Sequence, residues 1–515
     1  MFRKVVIIIL FGTAIFSSRS LLAQDLRDSL QPGKAWEIGN SDDSVAGYRN
    51  RMLVYGHSEF QGNLVLASSY LQDNLYSRPG DRPDSASMSE DVRRISLAYA
   101  QNGYPHAIVF ISRLKVVHDS LIRVFTVKEG ARITIGRLEF AGHRITKERI
   151  LRKLTGIEVP WVFDSRVMER AVHHLEKSGL FSFVGQPYLS RTAGGEEGYQ
   201  TLVFTLKEKT YNSVYGALGY NQDQGRADRW LAGAINLSLL NIAGTYRKCN
   251  ILWERPRKDK SRLEIGFYEP WVLGYPVSGE LRLGHIIEDS SYVQSRADVV
   301  FTFNFGDRIA AGFGIGLERV VPGTSQSVPG SIKYRSLWRL SWDGRDGGQG
   351  RMPWASLNLD YGRKRYYQNQ SQYTVAKLAG DLEQLFRSGA LVHPYFGSHG
   401  RMVISNESPV PRPEQYALGG AGSLRGYFED QFRADQVAWG NFELRLTTGE
   451  RISFYPFYDI GYYWDGGRGR RGIKHGFGLG FKLWSRLGRV EFDYGLGQGD
   501  GPWDGKVHLL LGSEF

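Results

Sequence analysis

From residue 210 to the end of the chain, apolar and polar side chains alternate along short segments that are separated by turns rich in Gly, Asp, Asn, Pro and Arg. In the segment "GRVEFDYGLG", one face carries Val490, Phe492, Tyr494 and Leu496. Side chains of a strand point alternately to its two faces. This region is therefore predicted to form antiparallel strands with one apolar and one polar face.

The region 210–515 contains sixteen such strands. Their predicted first residues are Tyr211, Trp230, Thr245, Arg262, Ser278, Tyr292, Arg308, Lys333, Trp354, Tyr373, Leu391, Gln436, Arg451, Lys474, Gly488 and Lys506. Alternation alone also fits a soluble sandwich. However, Tyr and Trp at strand ends, and a last segment "KVHLLLGSEF" that alternates up to Phe515, are typical of a transmembrane β-barrel. Because the number of strands is even, the first and last residues of the barrel segment both lie on the periplasmic side. The connections that follow odd-numbered strands therefore face outwards.

The first residues predict an export signal. Arg3 and Lys4 precede an apolar run of about a dozen residues, and Ala23 offers a cleavage site. The run is shorter than the roughly 20 residues that a spanning helix needs. We therefore predict a signal peptide over 1–23 rather than a membrane anchor, followed by a polar lead-in segment over 24–49.

Residues between 50 and 209 show the periodicity of helices, interrupted by short strands. One helix is predicted in "SEDVRRISLAYAQNGYPHA", ending at Gly103. Another is predicted in "DSRVMERAVHHLEKSGLF", with Asp164 as its N-cap and Gly179 at its end. Because each glycine is followed by a strand, we predict two small α+β domains in tandem, over 50–130 and 131–209.

Composition and charge limit the classes of function that the chain can have. The net charge of +12 indicates polar loops or contact with anionic lipid headgroups, and no nucleic-acid-binding motif is present. The single cysteine, Cys249, excludes an internal disulfide. His173 and His174 are neighbours on a helix and do not share a face, so we expect no metal site there. No catalytic triad is visible, and we predict no cofactor and no enzymatic activity.

The longest connection between strands, 403–435, contains the glycine-rich stretch "GGAGSLRGYFEDQF". It lacks the Lys-Ser/Thr pair of a P-loop and the G-x-G-x-x-G spacing of a dinucleotide site, and no βαβ pattern surrounds it. A flexible linker would not carry the aromatic residues Tyr427, Phe428 and Phe432. The feature that needs an explanation is the single arginine, Arg425.

This loop resembles the conserved loop of the BamA/TamA superfamily of outer-membrane insertases and polypeptide transporters. The shared core is an arginine-glycine-aromatic tripeptide, here Arg425, Gly426 and Tyr427. In that family the loop folds back into the barrel lumen, where its arginine meets the acid of an F-x-D-x-G motif. The resemblance implies Asp459, in "FYDIG", as the partner. Strand alternation also places Asp459 on the inner face, away from lipid.

Other segments are similar to the same family. The segment "FYEPWVLGYP" resembles its E-P-W-x-x-G turn, which strand parity places on the periplasmic side, with Glu269, Pro270, Trp271 and Gly274. Three glycines of one strand face inwards and are expected to let the loop approach the wall: Gly476, Gly478 and Gly480. The α+β domains resemble POTRA domains. The implied fold class is α+β tandem POTRA domains followed by an all-β 16-stranded antiparallel transmembrane β-barrel in the bacterial outer membrane.

The resemblance implies a factor for outer-membrane protein assembly and insertion. POTRA edge strands would capture unfolded outer-membrane proteins by β-augmentation, and the barrel would template insertion at the seam between its first and last strands. The seam residues are Tyr211–Tyr220 and Lys506–Phe515, and Gly512 is predicted to weaken the seam. The alternative is a two-partner secretion transporter for one dedicated polypeptide. Outer-membrane lipid and accessory periplasmic proteins or lipoproteins are the other expected partners.

Overall fold

The structure is a computed structural model that describes residues 53–191, 199–209, 212–222, 229–257, 260–288, 290–325, 328–344, 353–386, 391–448, 452–485 and 488–512. The predicted signal peptide and lead-in segment lie outside the described residues, as do Tyr211 and Phe515. The chain divides into two compact units, of which the second contains Lys209–Phe515 and the short segment Ile145–Lys147. No helix among the described residues is long and apolar enough to cross a membrane.

The first domain of the N-terminal unit is built around one central strand. Its elements are β1 (Val54–Tyr55), β2 (Glu59–Gln61), α1 (Ser68–Asn74), α2 (Ser85–Gln101), β3 (Ile108–Val117) and β4 (Ser120–Lys128). β1 and β2 pair in parallel with one edge of β4, and β3 pairs antiparallel with the other. The apolar core joins the two helices to the sheet through Leu71, Leu75, Ile95, Tyr99, Val109, Phe125 and Val127.

The second domain has a similar construction. Its elements are β5 (Thr134–Ala141), α3 (Glu148–Thr155), β6 (Trp161–Val162), α4 (Ser165–Lys177), β7 (Phe181–Val184), β8 (Tyr188–Arg191) and β9 (Tyr199–Glu208). As predicted, the Asp164 carboxylate accepts a hydrogen bond from the Arg166 N–H and caps α4. Gly103 and Gly179 follow the two long helices with positive φ. Helix α1 was not predicted, because seven residues without a capping side chain show no recognisable helical period.

The second unit is dominated by one 16-stranded antiparallel sheet in which strands follow each other in chain order. The strands are β10 (Ser213–Gln222), β11 (Arg229–Ile242), β12 (Arg247–Arg257), β13 (Lys260–Glu269), β14 (Val277–Glu288), β15 (Tyr292–Phe305), β16 (Ile309–Pro322), β17 (Ser331–Asp343), β18 (Trp354–Tyr366), β19 (Gln372–Leu385), β20 (Val392–Ser405), then, after β21 (Tyr416–Leu418) and β22 (Phe432–Ala434), β23 (Gln436–Thr448), β24 (Ile452–Asp465), β25 (Arg470–Ser485), β26 (Gly488–Gly497) and β27 (Lys506–Gly512). The sixteen predicted strands are confirmed, and the largest error in a start lies at β25, predicted from Lys474 and observed from Arg470.

The two faces of the sheet differ as the alternation predicts, and β24 shows this most clearly. Its residues alternate between buried and exposed over almost its whole length, and Asp459 is fully buried. Pro456 lies on the exposed face, opposite Leu479 of β25. On the other side, the pairing of β24 with β23 is interrupted between Phe457 and Phe454. The missing N–H of proline therefore falls where that ladder is already broken.

Candidate functional site: the loop inside the sheet

The connection between β20 and β23 is a folded hairpin. β21 and β22 pair antiparallel, and an isolated bridge joins Gly420 to Leu424 at the tip. Gly419 and Gly420 have φ of 120° and 94°, which side chains with a Cβ rarely adopt. A buried apolar cluster holds the hairpin against β23, and it consists of Leu418, Leu424, Tyr427, Ala434 and Val437. These contacts give the loop a fixed conformation in which Arg425 is buried.

Arg425 binds Asp459 of β24 in a bidentate ion pair. Its Nε donates to Asp459 Oδ2 at 2.8 Å, and its Nη2 donates to Oδ1 at 2.7 Å. The backbone N–H of Arg425 also donates to Oδ2, at 3.0 Å. The side chain of Arg425 is 4% exposed and that of Asp459 is fully buried. A planar guanidinium that meets a carboxylate with two parallel bonds is among the strongest charged contacts in proteins. The structure thus brings together the two residues that the sequence motifs pair.

Two further carboxylates surround the same guanidinium. Arg425 Nη1 donates to Glu443 Oε1 of β23 at 2.9 Å and lies 3.4 Å from Asp493 Oδ2 of β26. The ring of Phe457 stacks on the guanidinium, with its centroid 3.7 Å away. Burial opposes the positive charge, but the hydrogen bonds that Arg425 donates to Asp459 and the negative charges of Asp459, Glu443 and Asp493 outweigh it and raise the pKa of Arg425. One loop arginine therefore connects three strands of the wall.

Close backbone approach is possible because glycines line this part of the wall. A Cβ on Gly476 would lie 2.0 Å from the carbonyl oxygen of Arg425. Gly426 has a φ of 89°, and a Cβ there would lie 2.5 Å from the backbone of Leu496. The predicted role of the glycine column holds only at Gly476. A Cβ on Gly478 would instead lie 2.0 Å from the carbonyl oxygen of Tyr494, and one on Gly480 would lie 2.1 Å from Asp493 Oδ1, so these two glycines make room for the neighbouring strand and not for the loop.

The tripeptide also reaches the last strands of the sheet. The Tyr427 hydroxyl donates to the carbonyl of His475 at 3.1 Å and accepts from the N–H of Gln498 at 2.9 Å. The N–H of Gly426 donates to His508 Nε2 of β27 at 3.3 Å. The three residues Arg425, Gly426 and Tyr427 thus contact every strand from β23 to β27.

A second anchor, absent from the sequence prediction, lies at the start of the hairpin. The Glu414 carboxylate is 2.7 Å from Lys333 Nζ and 3.0 Å from Lys377 Nζ, on β17 and β19. Glu407 similarly binds Lys364 of β18 at 2.9 Å. Burial alone would raise the pKa of Glu414, but the lysines outweigh it and lower that pKa to about 2. The sequence analysis made no prediction for these lysines, because alternation does not show which loop residue an inward-facing side chain meets.

A third set of charges holds the other flank of the hairpin. Arg433 and Arg412 approach the carboxylate of Glu288 on β14, at 3.4 Å and 3.6 Å. Lys260 of β13 lies 3.5 Å from Asp430. The sheet therefore curves around the hairpin and its flanks, whose charged contacts involve β13, β14, β17, β18, β19, β23, β24 and β26.

The predicted turn motif lies between β13 and β14. Glu269 accepts a hydrogen bond from Arg247 of the adjacent strand. Trp271 packs at 5.9 Å, ring centre to ring centre, against Tyr246 of the preceding turn. Gly274 has a φ of 89°, and Pro270 is buried. The motif thus joins two neighbouring turns on one rim of the sheet, which is a structural role.

The predicted seam residues are only partly described. Tyr211 and Phe515 lie outside the described residues, and Gly512 is the last described residue of β27, opposite Arg489. The described part of β27 has seven residues and ends where the described residues end. Over the part of the chain that the structure describes, no pairing joins β27 to β10.

Part of the space enclosed by the sheet remains open. A cavity of about 600 Å³ is lined by β11 to β15, with polar residues such as Asn236, Asn250, Glu264, Arg282 and Arg296. The described residues contain no cluster of three or more His, Cys, Asp or Glu side chains that could hold a metal ion.

Comparison with known families assigns this architecture. The model of the Omp85 superfamily domain matches residues 241–515, more than half of the chain. A POTRA model, described as a surface antigen variable number repeat, matches residues 54–130. The chain belongs to the Omp85 superfamily, and the predicted family and fold class are confirmed. It is an outer-membrane β-barrel protein with its POTRA region in the periplasm.

Individual relatives are distant. The outer membrane protein assembly factor BamA of Buchnera aphidicola subsp. Acyrthosiphon pisum (strain APS) is 23% identical over 166 residues, which are 32% of this chain and 26% of that protein. The match thus spans about a quarter of the curated relative's length. BamA from Haemophilus ducreyi lacking POTRA domains 1–3 has a TM-score of 0.55 at 14% identity, covering 89% of this chain and 98% of that one. CdiB from Escherichia coli has a TM-score of 0.50 at 15% identity, covering 95% and 94%. At such identities both likenesses concern the fold alone.

Proposed function

We propose that this protein, whose family consists of polypeptide assembly and transport factors, captures unfolded outer-membrane proteins in the periplasm and templates their insertion beside β27. It does so without catalysis, since strand pairing supplies the interaction. The observation that carries the proposal is a long exposed edge strand in the first domain, β3. The identity of the clients as outer-membrane proteins is supported by the named function of the curated relative.

β3 has the properties of a strand-addition site. In the described chain it pairs with β4 alone, and its ten residues include four large apolar side chains that are at least 40% exposed: Ile108, Phe110, Leu114 and Val117. The turn between β3 and β4 has two residues, so Val117 and Ser120 form a hydrogen-bonded pair of the antiparallel ladder. Hydrogen-bonded and non-hydrogen-bonded pairs alternate along such a ladder, so Val116 and Leu114 form no backbone hydrogen bonds with β4. The N–H groups of Leu114 and Val116 therefore point towards the free edge. Natural sheets usually protect such an edge, and this one is open.

Leu114→Pro tests the capture step. The substitution removes one free-edge N–H without breaking a bond to β4, and a proline is tolerated at such a position. We expect photo-crosslinking from β3 to unfolded client barrels to fall several-fold, while Leu114→Ala, which keeps the N–H, retains it. Equal crosslinking in the two variants would show that β3 is not the strand that binds the client.

The insertion step is proposed for the seam because the strands next to β27 are braced by the loop. A cysteine scan pairing positions in β10 with positions in β27, in a Cys249→Ser background, tests it. Oxidative locking of the seam should block assembly, and reduction should restore it. The matched control is a Thr302→Cys, Gly312→Cys pair across β15 and β16, where an added Cβ lies 3.3 Å from the partner side chain. Assembly that continues under a complete seam lock contradicts templating.

The alternative, export of one dedicated polypeptide, is favoured by the likeness to CdiB along nearly the whole chain. Depletion of the protein followed by proteomics of the outer membrane and the medium separates the two functions. We expect several outer-membrane barrel proteins to decrease together. Loss of a single secreted protein, with the outer membrane unchanged, would establish the alternative instead.

A further inference from the structure

Three arginines face away from the lumen on neighbouring strands. The inner faces of β16, β17 and β18 are marked by the buried residues Glu318, Lys333 and Lys364, which lie opposite one another. Their sequence neighbours therefore face outwards. Arg319 lies opposite Ile332, which lies opposite Arg365. Arg363 precedes Arg365 by two positions on β18 and so shares its face. All three arginines, Arg319, Arg363 and Arg365, are exposed.

These arginines lie at the outer end of the barrel. The first strand follows the periplasmic domains, so odd-numbered strands run outwards. β16 is the seventh strand and β18 the ninth, and the arginines are near the C-terminal ends of both. An arginine facing lipid costs about 2–4 kcal/mol at the bilayer midplane but about 0–1 kcal/mol near the interface. The three therefore lie at the level of the outer-leaflet headgroups.

The patch formed by Arg319, Arg363 and Arg365, here called the arginine patch, has no compensating acid. None of the three forms an ion pair with a carboxylate of the described residues. The turns that flank the patch, 323–330 and 367–371, contain no Asp or Glu. Arg319 contacts an aromatic ring instead: its guanidinium lies 6.0 Å from the centre of the Tyr367 ring. A desolvated cluster of guanidinium groups at headgroup depth is complementary to phosphate.

An apolar groove lies on the same strands, deeper in the membrane. It has a volume of about 440 Å³ and is lined by Phe303, Ala311, Phe313, Trp338, Leu340 and Leu357. The groove exists because Ala311 is small, whereas its pairing partners Phe303 and Leu340 are large. Phe313 and Trp338 form one wall, with ring centres 4.7 Å apart.

The spacing between patch and groove fits one lipid molecule. Arg319 and Phe313, at the outer end of the groove, are six residues apart on β16, or about 20 Å along the strand. At a strand tilt of about 45° this is roughly 14 Å of depth, close to half of the ~30 Å hydrocarbon core. A headgroup at the arginine patch would thus place the ends of its acyl chains at the outer end of the groove, and Ala311 lies two residues further along the same groove.

We infer that the outer surface of β15–β18 binds a phosphorylated lipid of the outer leaflet, namely lipopolysaccharide. The phosphates of its lipid A part contact Arg319, Arg363 and Arg365, and an acyl chain occupies the groove over Ala311. The patch fixes one wall of the barrel to the surrounding lipid, at the strands opposite the seam.

The test measures binding of lipid A to the purified full-length protein by native mass spectrometry. The variant R319Q/R363Q/R365Q should bind bisphosphorylated lipid A with an affinity reduced on the order of a hundredfold. The control R468Q/R470Q/R471Q removes the same charge from the outward turn after β24 and the first two residues of β25, and should bind like the wild type. Ala311→Phe, which fills the groove without changing charge, should also weaken binding.

Two outcomes would overturn the inference. One is equal affinity of the arginine-patch variant and its control for bisphosphorylated lipid A. The other is wild-type binding of dephosphorylated lipid A, or of phosphatidylglycerol, as tightly as bisphosphorylated lipid A, because the site would then not recognise the outer-leaflet phosphates. Heat-modifiability of every variant, measured alongside, verifies that the barrel is folded.

Discussion

The wall formed by β23–β27 and the wall formed by β11–β15 both present charged side chains to the lumen and both form ion pairs with the loop, but only the first is in close contact with the loop backbone. At β24 the Arg425 guanidinium meets three carboxylates and is 4% exposed. On the other wall Arg282 binds Glu280 on its own strand, and both side chains keep more than a quarter of their surface exposed, next to the cavity of about 600 Å³. Inner-face charge is therefore common to both walls, and close backbone approach distinguishes them.

This difference indicates where the barrel is rigid. The loop ties the last five strands together through Arg425, Gly426 and Tyr427. The first strands line an open cavity and contact the loop through the ion pairs of Lys260 and Glu288. The seam lies between these two regions. A rigid last wall beside a less restrained first wall is the arrangement that strand exchange at the seam would require.

The largest expected effect is that of Arg425→Ala. It leaves Asp459, Glu443 and Asp493 close together without their cation, and breaking a buried ion pair costs about 3–5 kcal/mol. We expect a large drop in the urea midpoint of the folded barrel and in complementation. Arg282→Ala, on the cavity wall, removes a partly exposed pair worth about 0–1 kcal/mol and serves as the control. Similar losses in the two variants would erase the contrast between the walls.

A pair of glycine substitutions sharpens the same contrast. In Gly476→Ala the new methyl group would meet the Arg425 carbonyl at 2.0 Å, so the loop must shift, at a cost of about 1–3 kcal/mol. In Gly266→Ala, on the cavity wall, the methyl group meets nothing within 4 Å. We expect protease cleavage within the loop to accelerate in the first variant only. Cleavage at equal rates would show that the loop does not rest on Gly476.

The smallest expected effect concerns the second anchor. Glu414→Gln keeps the shape but removes the charge between Lys333 and Lys377, and we expect a loss of about 1–2 kcal/mol. Because the pKa of Glu414 in the folded protein is lowered to about 2, its contribution is complete above the unfolded pKa of about 4.3. It declines as pH falls from there towards 2. Stability profiles of wild type and variant should therefore converge on acidification, and a constant gap between them would argue against this anchor.

The alternation of apolar and polar residues predicted the strands of the barrel better than it predicted the contacts inside the lumen. It located the strands and placed Asp459, Glu443 and Asp493 on the inner face, because the period of two fixes the face of each residue. It did not show that all three converge on Arg425, since that depends on the curvature of the sheet. The Glu414 anchor was missed for the same reason. The resemblance, by contrast, named the pair Arg425 and Asp459 but none of the residues around it.

A double-mutant cycle on Arg425 and Asp459 tests the central claim that this pair clamps the loop to the last wall. The free energies of unfolding of Arg425→Ala, Asp459→Asn and the double variant are compared with that of the wild type. If the pair is the clamp, the double variant loses little more than the worse single variant, which corresponds to a coupling of at least about 2 kcal/mol. Additive losses, with a coupling near zero, would contradict the account.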